Sequence, residues 1–407
     1  MKRRVVITGI GVVSPVGIGK ENFWKSLKEG KNGIKRISFF DASDFPTQIA
    51  GEVRDFKPEK YMDKKRAKRI ARFSQFAVAC AKMALEDADL DINRLKSKRV
   101  GIFLGTSSSA MDMIEKEYRK YIKDGYKKVI SYGILSASPS APSLEIKENL
   151  ECVEEIITQT SDCRGGIDAV IEGYERIKSG EIDIGICGGV DSCITPLVYS
   201  GFLKMGILCT SNDPEKGSRP FDKLRCGGVL SEGGGILIIE EMKHAIYRGA
   251  QVYGEILGYG KYFEKKGELP GSGLFFSMKR ALEVSGVLFN QIGYISAHAP
   301  SDQILDATET QSIKKLFGEY AYRIPVSSIK SMIGNPLSAA GPLQIASSVM
   351  VFKESVIPPT INYEFFDEEC DLDYVPNKAR ENLVEKILVN SHSFGGANST
   401  ILIGKVE

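Results

Sequence analysis

The chain has 407 residues, of which 43% are hydrophobic and 26% are charged, a composition typical of a globular protein with one large or two fused domains. Its 54 basic and 52 acidic residues give a net charge of +2, which argues against an overall nucleic-acid binder. The composition also excludes collagen-like and disordered chains, and no run of about 18 apolar residues is present to span a bilayer.

Short β-branched runs alternate with helical patterns along the whole chain. The predicted strands cover residues 4–8, 100–104, 182–187, 235–239, 254–257, 294–296, 324–328, 387–390 and 400–403. The predicted helices cover residues 67–88, 165–179, 277–284, 307–316 and 337–351. Near-continuous apolar strands between amphipathic helices predict an α/β fold with buried, parallel or mixed sheets.

The two halves of the chain show related patterns. In the first, an apolar strand ends in GIFLGTSSS, and a long helix is followed by a strand ending in CGGVDS. In the second, IPVSSIKS precedes a long apolar helix and a strand ending in NSHSFGGANS. This pattern predicts a duplicated α/β unit, with an N-terminal half at 1–246 and a C-terminal half at 247–407 in one compact body.

The eight cysteines are scattered, and they form neither a CxxC pair nor a metal-type spacing with histidine. Free thiols in a reducing cytoplasm are therefore expected, with no metal site. Cys163 is the candidate nucleophile, because a polar turn leads into a helix predicted to begin near it. The helix dipole and Arg164 would favour a thiolate, and Asp162 would oppose it. A buried structural cysteine is the alternative by position alone.

Three other residues at element ends could support thioester chemistry. His298 follows one apolar strand, Lys330 ends another, and Asn335 opens the next helix. The thiol would attack an acyl group, the neutral imidazole would donate a hydrogen bond or move a proton, and the asparagine would stabilise an oxyanion. Taken singly, a satisfied core histidine, a salt-bridged lysine and a capping asparagine are the alternatives.

The sequence resembles the β-ketoacyl-acyl carrier protein synthases, most closely the elongating synthase II type of the thiolase superfamily. The resemblance covers nearly the whole chain, through the segments RRVVITGIGVVSPVG, GGVDS, SRPFDKLRCGGVLSEGGG, SSIKSMIGNPLSAAG, VIPPTIN, CDLDYVPNKAR and NSHSFGGAN. It implies a thiolase-like five-layer αβαβα fold of two related halves, normally a homodimer, with an acyl carrier protein as partner. It also implies no resident cofactor, since the carrier protein brings the phosphopantetheine arm.

The resemblance assigns roles to matching residues. Cys163 matches the nucleophile that accepts the acyl group, His298 one of two histidines that promote decarboxylation of malonyl-carrier protein, and Lys330 a lysine that organises the site electrostatically. Glu309 matches the acid that partners this lysine. Phe394 matches the aromatic gate between the acyl pocket and the malonyl site, and its backbone N–H would form an oxyanion hole with that of Cys163.

Several residues depart from the family pattern. Asn335 stands where elongating synthases carry the second histidine, which gives the Cys-His-Asn arrangement of initiating and chalcone-synthase-like enzymes. An asparagine donates hydrogen bonds but cannot move a proton at neutral pH. Pro300 and Asp302 replace two threonines that hold the phosphopantetheine arm. Further departures are Asp162, Arg164, Cys226, Gly228 and Ser393.

The segment KYMDKKRAKRIAR, at residues 60–72, is dense in cations. Helical spacing would place Lys65, Lys68 and Arg69 on one face together with Arg72, and the first three match basic positions of a helix that docks the acidic carrier protein. A solvated helix face is the alternative. Nucleic-acid binding is less favoured, because no aromatic residues interleave with these cations in a way suited to base stacking.

Three functions are compatible with these residues. The first is a condensing acyltransferase that makes 3-oxoacyl-carrier protein in fatty acid or polyketide-type synthesis. The second is a non-condensing partner, similar to a chain-length factor, in a heterodimer with a true synthase. The third is a transacylase or thioesterase that uses Cys163 without decarboxylation.

Overall fold

An eleven-stranded mixed sheet runs through the computed structural model, which describes residues 3–148, 150 and 152–406. Its main strands are β1 (Val5–Ser14), β2 (Val100–Gly105), β3 (Val153–Gln159), β4 (Ile184–Asp191), β5 (Gly233–Glu241), β6 (Gly254–Phe263), β7 (Tyr294–Ser296), β8 (Val326–Ser327), β9 (Lys386–Ser393) and β10 (Ala397–Gly404). The short strand Gly17–Ile18 completes the sheet beside β1. Two small ribbons pair Lys35–Arg36 with Ile49–Ala50 and Val356–Ile357 with Arg380–Glu381.

The helices connect these strands. In chain order they are α1 (Lys20–Lys28), α2 (Lys64–Ala67), α3 (Arg72–Asp87), α4 (Ile92–Leu95), α5 (Met111–Asp124), α6 (Gly133–Ala137), α7 (Ala141–Lys147), α8 (Gly165–Ser179), α9 (Pro196–Lys204), α10 (Met242–Tyr247), α11 (Leu274–Ser285), α12 (Gln303–Phe317), α13 (Lys330–Ile333) and α14 (Ala340–Glu354). Short 3-10 turns lie at Pro58–Lys60, Tyr126–Lys128, Asp162–Arg164, Phe289–Gln291, Gly318–Arg323 and Leu337–Ala339.

The strand order shows the internal repeat directly. Across the sheet the order is β3-β2-β4-β5-β1-β6-β10-β9-β7-β8. In each half, three neighbouring parallel strands are followed by two antiparallel ones, and β1 and β6 pair antiparallel in the middle. The N-terminal half contributes β1 to β5, and the C-terminal half contributes β6 to β10.

Helices cover both halves of the sheet, and two helices lie between the halves. α3 packs on β1 and β5, and α11 packs on β6 and β10. Between the halves, α8 packs on β2 and β4, α14 packs on β5 and β9, and the two helices contact each other. α14 is buried from residue 340 to residue 352, as expected for a helix that is apolar on all sides. The layers run helix, sheet, helix, sheet, helix, and the predicted α/β fold class is confirmed.

Several predicted elements change their bounds. The predicted helix at 67–88 is divided into α2 and α3. Residues 68–70 form a turn, and Ala71 has the extended backbone of a helix N-cap. Strand β3 was not predicted, although its alternating sequence VEEIITQ is compatible with an edge strand. The predicted helix at 165–179 agrees with α8 at both ends.

The expectation of eight free thiols is wrong for one pair. Cys209 and Cys226 form a disulfide with their Cα atoms 4.9 Å apart, while six cysteines are free in the part of the chain that the structure describes. The pair was not predicted because 17 residues separate the two positions. Cys226 is exposed and Cys209 is buried, so reductants would reach the bridge from the side of Cys226. In a reducing compartment the two residues would therefore be present as a thiol pair.

Close backbone packing fixes the start of α8. A Cβ atom at Gly166 would lie 2.2 Å from the carbonyl oxygen of Ser338 and 2.6 Å from Cδ of Pro342. These residues belong to the central layer of the C-terminal half, so the two halves approach each other too closely for any side chain at this position.

We predict that Gly166→Ala destabilises the protein by about 2 kcal/mol or more, because the added methyl group forces this contact apart. Gly201→Ala in α9 is the matched control, since a Cβ atom there has nothing within 4 Å. In that variant the gain in helix propensity should leave stability unchanged or raise it by up to about 1 kcal/mol. Urea unfolding gives both free energies, and equal stability of the two variants would contradict the prediction.

Candidate active site

Cys163 lies in a 3-10 turn between β3 and α8. The sequence predicts the turn and the helix that follows it, but not the strand. The turn begins at Asp162, whose φ of 51° lies in the left-handed region. The cysteine is 3% exposed. Its position at the N-terminal end of a 15-residue helix exposes the sulfur to the positive end of the helix dipole.

Burial nevertheless controls the ionisation of the thiol. It raises the pKa of Cys163 to about 12, against the opposing effects of the Lys330 charge and the Asn335 hydrogen bond. Arg164 does not assist the thiolate as the sequence predicted. Its guanidinium instead pairs with Asp168, with Nε 3.1 Å from Oδ2, and lies over the ring of Phe263. At rest, Cys163 is therefore a thiol that must lose its proton during the reaction.

His298 follows β7, and its imidazole is 3% exposed. Burial holds the pKa of His298 well below its ordinary value, and the charge of Lys330 adds to the effect. The ring is therefore neutral, and its Nδ1 atom has no hydrogen-bond partner among the described residues. A buried polar atom without a partner is rare, and here it is available to a substrate.

Lys330 and Glu309 lie beneath His298 but do not form the direct pair that the resemblance implies. Lys330 Nζ donates a hydrogen bond to the backbone oxygen of His298 at 2.5 Å. The Glu309 carboxylate accepts from the backbone N–H groups of His298 and Ala299, at 3.0 and 2.8 Å, and from Asn390 Nδ2 at 2.9 Å. Burial lowers the pKa of Lys330 to about 8, while the negative charge of Glu309 raises it. Glu309 thus acts on Lys330 through its charge and on His298 through the backbone.

Asn335 lies beside the thiol of Cys163. Its Nδ2 atom lies 3.9 Å from Cys163 Sγ. Two hydrogen bonds fix the backbone of Asn335. Its N–H donates to the backbone oxygen of Val229, and its backbone oxygen accepts from the N–H of Ser231. Its Oδ1 atom is buried without a partner among the described residues. The side chain can therefore present a hydrogen-bond donor beside the sulfur.

Two cavities meet at Cys163. The first, which we call the thiol cavity, has a volume of about 50 Å³ and is lined by Cys163, His298, Asn335, His392 and Phe394. The second, which we call the outer cavity, has a volume of about 480 Å³ and includes Ser107, Ser108, Met111 and Asp162. Cys163, Phe202 and Phe394 line both.

Phe394, for which the resemblance implies a gate, lies where the two cavities meet. Its ring packs edge-on against Phe202 with the centroids 5.6 Å apart. The residue lies in the turn between β9 and β10 and is half-buried. It is followed by Gly395 and Gly396, both with positive φ. A small change in this turn would alter the connection between the two cavities.

Sequence reasoning missed His392, which lies near the end of β9 and lines the thiol cavity. Its ring centroid is 5.8 Å from that of His298. Asn398 and Glu264 hold its Nδ1 side, at 3.1 and 3.8 Å. The only signal available was a histidine within an apolar strand run, and its partners lie on β10 and directly after β6.

The departures at 300 and 302 have different structural roles. The Asp302 carboxylate accepts from the N–H groups of Ile304 and Leu305 and so caps α12. Besides capping the helix, Asp302 lines the thiol cavity, so its expected position beside the phosphopantetheine arm stays a prediction. Pro300 is buried and lines the thiol cavity, where it can offer no hydrogen bond from its side chain.

The basic segment is only partly a solvated face. Lys65, Lys68 and Arg69 are exposed around α2. Arg72 does not share their face as the sequence predicted, because it pairs with Glu232 at 2.7 Å and lies over the ring of Phe76. Lys60 and Lys64 are exposed as well, so the segment presents five exposed cations.

Among the residues that the structure describes, no group of His, Cys, Asp and Glu side chains is suited to hold a metal ion. Within the same part of the chain, the helices are too short or too polar to cross a bilayer.

Two family models match the chain in tandem. Residues 2–245 match the beta-ketoacyl synthase N-terminal domain, and residues 253–364 match the beta-ketoacyl synthase C-terminal domain. The 3-oxoacyl-[acyl-carrier-protein] synthase 2 of Coxiella burnetii is 40% identical over 410 residues, or 100% of this chain and 99% of the relative. The putative polyketide beta-ketoacyl synthase 1 of Streptomyces halstedii is 38% identical over 415 residues, which cover 99% of this chain and 98% of the relative.

Solved structures agree with these matches. The ishigamide ketosynthase/chain length factor superposes with a TM-score of 0.93 and 32% identity over 100% of both chains. A type II polyketide ketosynthase in complex with its acyl carrier protein gives a TM-score of 0.92 and 30% identity, again over 100% of both chains. The thiolase-like fold predicted from the sequence is confirmed.

We predict that Lys330→Met slows alkylation of Cys163 by iodoacetamide about tenfold at pH 7, since loss of the lysine charge raises the pKa of the thiol and so lowers its thiolate fraction. In the unmodified protein the rate should also rise less than tenfold per pH unit above pH 8, because Lys330 then loses its proton. Intact mass measured over time gives the rates, with Cys163→Ala identifying the adduct and Lys65→Met as the control. An unchanged rate in Lys330→Met would show that the lysine does not act on the thiol.

Proposed function

The chain belongs to the beta-ketoacyl synthase family and is a condensing acyltransferase, and we propose that it joins an acyl group held on Cys163 to a two-carbon unit from malonyl-carrier protein. The product is a 3-oxoacyl-carrier protein, in fatty acid or polyketide-type synthesis. One observation carries this proposal. Cys163, His298 and Asn335 meet in one buried cavity, and Phe394 lies between that cavity and a second one large enough for an acyl group.

The first half-reaction transfers the acyl group. Cys163 Sγ attacks the thioester carbonyl of acyl-carrier protein, and the pantetheine sulfur leaves with one proton. The backbone N–H groups of Cys163 and Phe394 are the donors that we assign to the oxyanion. The acyl chain then occupies the outer cavity, whose wall contains the apolar side chains of Met111, Phe202 and Leu337.

The second half-reaction forms the carbon–carbon bond. The bond between the malonyl carboxylate and its methylene carbon breaks, and carbon dioxide leaves. His298 and Asn335 stabilise the enolate oxygen by hydrogen bonds, a role that a neutral imidazole and an amide can both fill. The enolate carbon attacks the thioester on Cys163, whose sulfur leaves as the thiolate and is stabilised by the charge of Lys330.

The carrier protein brings the phosphopantetheine arm, so the proposal requires no resident cofactor. The exposed cations Lys65, Lys68 and Arg69 supply a positive surface for an acidic carrier protein. A cytoplasmic location forms part of the proposal, and the exposed side of the Cys209–Cys226 pair is compatible with reduction there.

The proposed assembly is a homodimer formed at the β3 edge of the sheet. β3 pairs on one side only, with β2, and its residues are mostly half-exposed. α7 packs on β3 and contacts α6, which in turn contacts α5. Large apolar side chains are exposed on α5 and α6, at Tyr118, Tyr121, Ile122, Ile134 and Leu135. An edge strand beside an apolar patch is suited to pair with a second copy.

Pro300 favours one alternative, a partner subunit similar to a chain-length factor. This residue removes a hydroxyl from the wall of the thiol cavity, and the relative with a TM-score of 0.93 is described as a ketosynthase/chain length factor. The mass of the purified chain in solution separates the two assemblies. A stable homodimer supports the condensing enzyme, and a chain that is stable only beside a second synthase supports the partner role.

We predict that the purified protein, given acyl-carrier protein and then malonyl-carrier protein, gains the acyl mass at Cys163 and releases one carbon dioxide for each 3-oxoacyl product. Intact-protein mass and carbon dioxide measurement follow the two steps. Cys163→Ala should abolish both acylation and product, because no other thiol in the described residues lines the thiol cavity. Acylation without carbon–carbon product would indicate a transacylase, and free acid as the product would indicate a thioesterase. If Cys163 is not acylated at all, the condensing enzyme, the transacylase and the thioesterase are all excluded.

We predict that Lys65→Glu, Lys68→Glu and Arg69→Glu together raise the KM for the carrier protein at least tenfold and change kcat little, because the reversed charges repel an acidic partner. The reaction with a short acyl-pantetheine thioester, which lacks the protein, should not change. Lys243→Glu on α10 is the control, since Lys243 is also an exposed helical lysine. Equal KM values for the triple variant and the control would exclude this docking surface.

A further inference from the structure

His392 occupies a position from which it can act on the nucleophile. It is 5% exposed and lines the thiol cavity together with Cys163, His298 and Asn335. Its Nδ1 atom is bonded to Asn398, whereas its Nε2 atom has no hydrogen-bond partner among the described residues. The ring therefore has one nitrogen held by the protein and one available to groups in the cavity.

The surrounding bonds determine which nitrogen carries the proton. Asn398 Nδ2 donates to Glu264 Oε1 at 3.0 Å and to Gly396 O at 3.1 Å. Its Oδ1 atom must then be the acceptor that lies 3.1 Å from His392 Nδ1. Nδ1 consequently carries the hydrogen, and Nε2 of the neutral ring has a free lone pair.

A carboxylate lies behind the ring. Glu264 Oε1 is 3.8 Å from His392 Nδ1. Glu264 is itself held by the backbone N–H groups of Gly271 and Gly273, at 2.7 and 3.1 Å. A base oriented through its far nitrogen by an amide and a carboxylate has the arrangement that hydrolases use to activate a nucleophile.

The charges around His392 are compatible with this task. Burial and the positive charge of Arg164 lower the pKa of His392, so the ring is neutral at rest. The Asn398 hydrogen bond and the negative charges of Glu264 and Asp302 raise it. Burial therefore keeps the His392 ring neutral at rest, while Asn398, Glu264 and Asp302 stabilise the ring when it is protonated.

The acyl transfer step needs a proton carrier, and Asn335 and His298 are poorly suited to that task. The thiol of Cys163 must lose its proton and the departing pantetheine sulfur must gain one. Asn335 cannot accept a proton at neutral pH, and burial holds the pKa of His298 well below its ordinary value.

We propose that His392 is a catalytic residue whose Nε2 atom accepts the Cys163 proton and delivers it to the pantetheine sulfur, with Asn398 and Glu264 as positioning residues. The S–H bond of Cys163 breaks as its sulfur bonds to the acyl carbon. The carbon–sulfur bond to pantetheine then breaks, and that sulfur takes the proton from the imidazolium. Protons and electrons balance without another reactant. This inference rests on the proposed acyl transfer.

His392→Gln tests the proposal, because glutamine keeps a polar side chain of similar length but cannot act as a base. In single-turnover experiments with an acyl-pantetheine thioester, acylation of Cys163 should slow by about 10²- to 10⁴-fold. His392→Ala should be equally slow and should recover in added imidazole. A slow His392→Gln with no rescue of a folded His392→Ala would assign the residue a structural role and overturn the proposal.

His244→Gln is the matched control, since His244 bonds to Glu240 on the other half of the sheet and lines no described cavity of the site. It should acylate at the rate of the unmodified protein. If the unmodified protein is acylated and His392→Gln is as fast, the role of His392 is excluded while the proposed function stands. If the unmodified protein is not acylated, the proposed function itself fails.

Glu264→Gln tests the positioning residue by its pH profile. The carboxylate raises the pKa of His392, so its removal should move the inflection of the acylation rate to lower pH and slow the reaction at neutral pH by about tenfold. A purely structural role would lower the amount of active protein without moving the inflection. An unmoved inflection would therefore remove Glu264 from the mechanism.

Discussion

The buried carboxylate of Asp191 holds together the chain segments on which the site depends. At the end of β4, it accepts hydrogen bonds from the backbone N–H groups of Ser107, Ser108 and Ser338 at 2.8 to 3.1 Å. Ser338 Oγ in turn donates to the carbonyl oxygen of Asp162, beside the nucleophile, at 2.6 Å. A buried carboxylate needs all of these donors. These bonds therefore fix three segments relative to one another: the ends of β2 and β4 in the N-terminal half, the turn at the start of α14 in the C-terminal half, and the turn before Cys163.

Glu309 has the corresponding role on the other side of the cavity. It fixes the backbone at His298, and Lys330 fixes the same residue through its carbonyl oxygen. With both sides held through the main chain, the side chains of His298 and Asn335 need no protein partners of their own. The buried atoms His298 Nδ1 and Asn335 Oδ1 have no partner among the described residues, which lowers the stability of the folded protein. The hydrogen bonds of the surrounding main chain compensate for this loss, and a bound substrate can supply the missing partners.

Local pattern in the sequence was sufficient for much of this arrangement. Cys163, His298 and Asn335 were all predicted at element ends, and the carboxyl ends of parallel strands meet at one edge of a sheet. Contacts between distant segments could not be predicted. The orientation of His392 depends on Asn398 on β10 and on Glu264, which is distant in sequence. The capping role of Asp302 depends on where α12 begins, and the Cys209–Cys226 pair depends on how two loops pack. The bounds of α2 and α3 were missed because the turn between them has a helical pattern of cations.

The two histidines of the thiol cavity cannot exchange roles. A positive charge on His392 lowers the pKa of His298, and so does the charge of Lys330. His298 therefore stays neutral, and in the proposed reaction it serves as a hydrogen-bond donor. His392 is the ring with negative groups near it, Glu264 and Asp302, and it is the one that can hold a proton briefly. An asparagine at 335 fits this division, because a third imidazole there would compete for the same proton, whereas an amide supplies a donor beside the sulfur and leaves the charge unchanged. The substitution at 335 and the histidine at 392 are thus physically compatible parts of one site, in which hydrogen-bond donation and proton transfer belong to different side chains.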